Sequence, residues 1–178
     1  YVAGHTGLIG SAILRRLKGE GFSNIITQEH SELDLMSQEQ VQQFFAKEKP
    51  DYVFFTAGKV GGVYANNTYR AEFIYENLMM QNNVIHQAYL HETKKLIFFS
   101  CSSVYPKMCL QPMKEDYLLT GSLEPTNEPF GIAKIAGMKM CESYNRQYGT
   151  DFISVIPTNV YGINQNYVPM NSQVVPAM

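Results

Sequence analysis

Tyr1-Val2-Ala3-Gly4-His5-Thr6-Gly7-Leu8-Ile9-Gly10 opens the chain, and Ser11 to Lys18 follows. The first three residues read as the end of a buried strand. Ile13, Leu14 and Leu17 then recur at helical spacing until Gly19 and Gly21 interrupt the pattern. Between strand and helix, Gly4, Gly7 and Gly10 are evenly spaced, and each has its own physical use. The first permits a tight turn, the second lets backbone amides approach a pyrophosphate, and the third lets the helix pack closely on the strand. The helix N-terminus adds partial positive charge. Gly4 to Gly10, with His5, Thr6, Leu8 and Ile9 between the glycines, is therefore the candidate phosphate-binding turn.

Working outward, strands alternate with helices along the whole chain. Asn24–Thr27, Asp51–Thr56, Lys95–Ser100 and Asp151–Ile156 are short apolar runs expected to be strands. Ser37 is placed to cap a helix reaching about Lys47, with Gln40 in capping-box position and Val41, Phe44 and Phe45 on one face. Tyr69 to about His91 and Pro129 to Tyr148 read as long helices. The 101–128 stretch between them is irregular, and a loop of that length in a compact domain usually serves function. Continuous apolar strands fit a parallel sheet covered on both faces. The expected fold is α/β, a doubly wound parallel sheet of Rossmann type, with residues 1–178 as one domain.

Composition narrows the function classes. Of 178 residues, 45% are apolar and 17% charged, which excludes a disordered chain. The net charge of −2 offers no basic footprint for nucleic acid and no polybasic membrane patch. No apolar run reaches the ~18 residues of a transmembrane helix, and no signal peptide opens the chain. Three cysteines, Cys101, Cys109 and Cys141, form no CxxC pair, so a reducing cytoplasm and no disulfide framework are expected. His86 and His91 lack metal-ligand company; they read as surface residues, and no metal is expected. The chain starts at Tyr1 with its first strand almost over and stops at Met178 in a polar stretch, as a piece of a longer protein would.

Several segments together resemble one family. AGHTGLIGSAILRRL (3–17), KVGGVYANNTYRAEFIYENLMMQNNVIH (59–86), VYPK (104–107), EPTNEPFGIAKIAGMKMCESYNRQYGTDF (124–152) and VIPTNVYG (155–162) are similar to the GDP-L-fucose synthases. These belong to the extended short-chain dehydrogenases, in which the GxxGxxG spacing is typical. The resemblance implies NADPH as cofactor and a GDP-sugar as substrate, epimerised beside a 4-keto group and then reduced. It also implies a homodimer paired through the two long helices, and a C-terminal substrate domain that this chain stops short of. By position, Gly4 to Gly10 would hold the pyrophosphate, and Pro157, Thr158, Asn159 and Val160 would lie by the nicotinamide. Lys59 and its glycines would line the site, and Lys134 would hold the ribose.

The chain departs from the family at the chemistry. The family pairs Lys with a Tyr four residues earlier, on the same helix face. Here Phe130 precedes Lys134, and a phenyl ring has no proton to give. The family Ser falls on Cys101, with Ser102 beside it. The family's epimerase Cys and His fall on Ser103 and Gln173, and neither a Ser hydroxyl nor an amide is a base matched to neutral pH. Thr6 and Gln28-Glu29-His30 stand where family arginines clamp a 2′-phosphate; Glu29 suits a ribose hydroxyl instead, which keeps NADH open. Two readings follow. One is a reductase in which Cys101, Ser102 or a relayed water replaces Tyr. The other is a nucleotide-binding protein of the same fold with impaired catalysis. A third, a sugar-nucleotide 4-epimerase or dehydratase, is disfavoured by the KVGG and PTNVYG segments.

Overall fold

The structure is a computed structural model and describes residues 1–165. Its strands are β1 (Val2–Ala3), β2 (Tyr52–Phe55), β3 (Lys95–Phe99) and β4 (Phe152–Val155), and they form one parallel sheet in the order β1-β2-β3-β4. Helices α1 (Leu8–Gly19), α2 (Gln38–Glu48), α3 (Val63–Thr68), α4 (Arg70–Leu90) and α5 (Glu128–Tyr148) connect them. Two single 3-10 turns, Ser102–Val104 and Glu115–Tyr117, interrupt the long loop before α5.

Local sequence explains the helix ends. The Ser37 side chain accepts a hydrogen bond from the Gln40 N–H and caps α2. Gln40 Oε1 accepts from the Asp34 N–H at 2.9 Å, so only half of the expected capping box forms around Ser37. Pro129 sits in the first turn of α5, where its missing N–H costs nothing, and Gly149 ends that helix at φ +70°.

Strand alternation divides the sheet's two faces. Val53, Phe55, Leu96, Phe98 and Phe152 are buried against Val41 and Phe45 of α2, Val84 and Ile85 of α4, and Cys141 of α5. No α1 residue belongs to that core, whereas Val2, which points to the other face, is fully buried where α1 packs on β1. Helices therefore flank both faces, as the doubly wound reading requires. Cover on the second face fades across the row Val2, Phe54, Ile97, Ile153, from buried through half-buried to exposed. Burial on both faces throughout, the expectation from the apolar runs, holds only near β1 among the described residues.

Two further expectations need correction, and one helix is added to the expected set. Asn24–Thr27 is not a strand: Val2 N–H donates to Ile26 O at 3.0 Å, but β1 is only two residues long and offers no ladder to extend. The helix expected from Tyr69 is preceded by α3, and Tyr69 is the joint between α3 and α4. His86 and His91 are not simple surface residues. His86 Nδ1 lies 2.8 Å from the Tyr144 hydroxyl of α5, and His91 stacks on Phe45 of α2.

Helices α4 and α5 pack directly on each other along the sheet. Gln81 of α4 donates through Nε2 to Ala133 O of α5 at 2.7 Å. A Cβ on Gly137 would collide with the Phe98 ring and sit 2.9 Å from Gln81 Oε1. Gly137→Ala is expected to destabilise the fold by about 1–3 kcal/mol through overpacking. Urea unfolding checks this, and a wild-type midpoint would contradict the packing described.

Candidate active site at the carboxyl edge of the sheet

In a parallel sheet all strands end on the same edge, and ligands of open α/β sheets bind there. The loops after β1, β2, β3 and β4 begin at Gly4, Thr56, Ser100 and Ile156. They carry, in turn, the glycine turn, Gly58-Lys59, Cys101-Ser102-Ser103 and Pro157 to Val160.

The glycine turn is closed by backbone geometry. Gly4 has φ +79°, and a Cβ there would lie 2.7 Å from Ala57 N. Gly10 packs on Gly4 O, and its Cβ would lie 2.7 Å from Thr56 Oγ1. That hydroxyl donates to Ala3 O at 2.6 Å, which ties β1, β2 and α1 together. Gly7 is the N-cap of α1 and supplies no side chain to its first turn, which also lacks acidic residues. The early amides of α1 are thus free for an anion, and the cradle fits a pyrophosphate. His5 Nε2 lies 3.2 Å from Glu29 Oε1, so His5 and Glu29 stand together beside the turn, while Thr6 is exposed.

Lys134 is buried, with 5% relative exposure. Its ammonium donates to Phe99 O at 3.0 Å and lies 4.9 Å from the Phe98 ring centre and 5.8 Å from that of Phe130. A Cβ on Gly58 would be 3.6 Å from Lys134 Nζ and 2.8 Å from Asn77 Oδ1, so only glycine leaves this space clear. Burial lowers the Lys134 pKa to about 8, with the neighbouring Cys101 side chain opposing the shift. A solvated surface lysine is excluded by this geometry.

The other candidates gather around it. Phe130 meets Phe73 edge-on at 6.2 Å and packs as an aromatic side chain. Cys101 is part-buried. Burial pushes its thiol above the ordinary range, while Ser103 and the Lys134 charge pull the other way. Ser102 and Ser103 lie in the 3-10 turn, and Ser103 Oγ accepts from Asn127 Nδ2 at 3.1 Å. Pro157 is half-buried, and Thr158, Asn159 and Val160 are exposed. Just beyond them, a Cβ on Gly162 would be 3.5 Å from Leu8 Cδ1, so this loop returns over the glycine turn. Gln173 lies outside the described residues.

Asn77 braces backbone. It accepts from Lys59 N–H and donates to Lys59 O and Phe73 O. Burial disfavours the Lys59 charge, but hydrogen bonds to Glu72 and Glu76 outweigh this and hold its ammonium above the usual range. Sequence reasoning missed Asn127, because nothing in a loop sequence marks the serine it will reach. A groove of about 400 Å³ between α5 and β4, lined by Met138, Glu142, Arg146 and Phe152 among others, shares no residue with this cluster. Among the described residues no group of three His, Cys, Asp or Glu side chains could hold a metal ion.

The family model for the NAD dependent epimerase/dehydratase family matches residues 1–178. The chain belongs to that family. Within it, the chain is 58% identical over its whole length to a putative GDP-L-fucose synthase 2 of Arabidopsis thaliana, of which it covers 54%. It is 52% identical to the GDP-L-fucose synthase of Escherichia coli, covering 56% of that protein. Among solved structures, a GDP-mannoheptose C4 reductase from Campylobacter jejuni with NADP bound superposes with a TM-score of 0.93 at 50% identity. That comparison covers 99% of this chain and 52% of the other. The chain spans about half the length of the curated relatives it matches. The resemblance to GDP-L-fucose synthases read from the sequence is thereby borne out.

Lys134 makes a pH prediction. The folded pKa is near 8, and an unfolded lysine titrates near 10.4. Between these values the unfolded chain holds more protons at this site, so Lys134 contributes a rise in stability from about pH 8 to about pH 10, opposed above about pH 9 by the Cys141 thiol, which burial pushes up to about 12. Below that window both states are protonated and the burial cost is present in full. Lys134→Met is expected to remove the rise and to stabilise the fold at pH 7 by about 1–3 kcal/mol, net of the lost bond to Phe99 O. Urea unfolding from pH 7 to 10 checks both effects, and a rise that persists in the variant would assign it to another group.

Proposed function

We propose that this chain is the dinucleotide-binding unit of an NADPH-dependent enzyme that reduces the C4 ketone of a GDP-linked 4-keto-6-deoxy sugar. Lys134 carries the reading: a buried ammonium with one carbonyl acceptor among the described residues, kept clear by Gly58, on the same sheet edge as the glycine turn. A buried charge with so few partners is costly unless a ligand adds acceptors, and ribose hydroxyls are such acceptors.

Gly4, Gly7 and Gly10 with the first amides of α1 would hold the pyrophosphate. Lys134 would hold the nicotinamide ribose, and Pro157 to Val160 would lie beside the ring. His5 and Glu29 would stand at the adenosine ribose. When bound, a reduced nicotinamide supplies hydride. The chain's own residues orient the sugar ketone, keep water from it and deliver a proton to its oxygen. NADPH is favoured by the relatives solved with NADP or NADPH bound, and Glu29 is what keeps NADH as the rival. A cytoplasmic homodimer belongs to the same reading; the pairing, though not the compartment, is supported by Tyr75 and Leu90 of α4 and Ile132 and Tyr148 of α5, all exposed.

Epimerisation is not part of the proposal. Ser103 stands where the family has its Cys, and its hydroxyl is engaged by Asn127. The enzyme then acts on a sugar epimerised elsewhere, in line with the similarity to the GDP-mannoheptose C4 reductase of Campylobacter jejuni. The second reading, a nucleotide-binding protein with impaired turnover, is favoured by Phe130, which has no proton to give.

The full-length protein decides between them. Nicotinamide fluorescence is expected to show NADPH binding, and binding of neither dinucleotide would overturn the proposal. With NADPH present, GDP-4-keto-6-deoxymannose epimerised beforehand should be reduced. Conversion of the unepimerised sugar to GDP-fucose would refute the reductase-only version, and binding without oxidation of NADPH would favour the second reading.

A further inference from the structure

Asparagine is favoured just before a helix because its side-chain oxygen accepts a backbone N–H of the first turn. Asn127 holds that position in α5, and Gly131 N–H donates to its carbonyl oxygen at 3.0 Å, but its side chain makes no capping bond. It turns instead to the loop after β3, where Nδ2 donates to Ser103 Oγ at 3.1 Å. Asn127 Oδ1 is shielded from solvent and has no hydrogen-bond partner among the described residues. Forgoing the cap and leaving a carbonyl oxygen unpaired both cost stability. The segment that carries Asn127 is held on both sides. Arg70 of α4 donates to Pro125 O at 2.6 Å, and Lys107 pairs with Glu124 at 2.8 Å. A carboxamide placed this firmly, with its acceptor unspent, has the form of a binding group.

We propose that Asn127 and Ser103 bind the 3-hydroxyl of the substrate sugar and select for it. This rests on the GDP-sugar reading above. Asn127, Phe130, Gly131 and Lys134 stand at i, i+3, i+4 and i+7, which is one face of α5. That face lies on the turn after β3: a Cβ on Gly131 would be 2.8 Å from Ser103 O. In the reading above, the ketone reacts where Lys134 holds the nicotinamide ribose, and the Phe130 ring borders that ammonium. Asn127 is three residues before Phe130, about 4.5 Å along the axis, which is the reach of a substituent on the carbon next to C4. Of the two carbons flanking C4 in a 6-deoxy hexopyranose, C5 carries the ring oxygen and a methyl, so only C3 carries a hydroxyl. A hydroxyl both donates and accepts. Asn127 Oδ1 supplies the acceptor, and Ser103, which accepts from Asn127, keeps its own hydrogen to give. Asn127 as a whole is half-buried and its terminal torsion is soft, so a small rotation brings Oδ1 to the sugar.

The test uses the full-length protein with NADPH, the epimerised GDP-4-keto-6-deoxy sugar, and its 2-deoxy and 3-deoxy analogues. The wild type is expected to lose about 10- to 100-fold in kcat/KM on the 3-deoxy analogue. Asn127→Ala and Ser103→Ala should each lose a similar factor on the parent sugar and none on the 3-deoxy analogue. The double variant should lose less than the product of the two, because the pair binds one group. NADPH binding, followed by fluorescence, should not change. If Asn127→Ala does not fold, Ser103→Ala carries the test. Equal losses on the parent and 3-deoxy sugars, no loss on either, or a preference that tracks the 2-hydroxyl would overturn the proposal. The same comparison by calorimetry, with the reduced GDP-6-deoxy sugars, reads the contact without turnover. A 3-hydroxyl preference in binding with no oxidation of NADPH would remove the reductase reading and leave this inference standing. Turnover without that preference would remove this inference alone.

Discussion

A lysine ammonium buried at the carboxyl edge of a parallel sheet is the constraint around which the described structure is organised. Removing that charge from water costs several kcal/mol after relaxation, and Lys134 recovers part of it from one carbonyl and two aromatic faces. The arrangement needs Phe99 O at the end of β3, the start of α5 lying over that strand end, and no side chain at residue 58. Each condition is a statement about packing between elements far apart in sequence. The fold tolerates the cost because β3 is otherwise well buried, with Leu96 and Phe98 wholly inside.

Much of the hold on the loops around Lys134 comes from α4 and α5. Asn77 on α4 brackets the backbone of Lys59, and Glu72 and Glu76, one turn apart on the same helix, take its side chain. Arg70 at the start of α4 donates to Pro125 O at 2.6 Å and pairs with Glu128, which secures the entry to α5. Gln81 then locks the two helices at the residue before Lys134. Positions on rigid helices thus set the geometry of irregular segments, as a preorganised site requires.

Much of this was legible in the sequence, for definite reasons. The glycine turn is a local device: φ +79° at Gly4 and the close approach of Gly10 to Gly4 O arise within ten residues, so spacing alone reveals them. The Ser37 cap and the Gly149 stop are equally local. What escaped depends on partners. Asn24–Thr27 has strand composition but finds only a two-residue neighbour. His86 and His91 look like surface positions until Tyr144 and Phe45 are brought against them from other helices.

The sequence by itself determined the alternation of four strands with the long helices, the anion-ready turn, and the absence of a phenolic proton four residues before Lys134. Those follow from local backbone preference, apolar periodicity and the identity of a side chain. Only the tertiary structure decided that Lys134 is buried, that Gly58 and Asn77 border it, and that Asn127 reaches Ser103 beside Cys101. Burial and hydrogen-bond pairing are set by which strand ends and helix starts the fold brings to one edge, and no single segment carries that information.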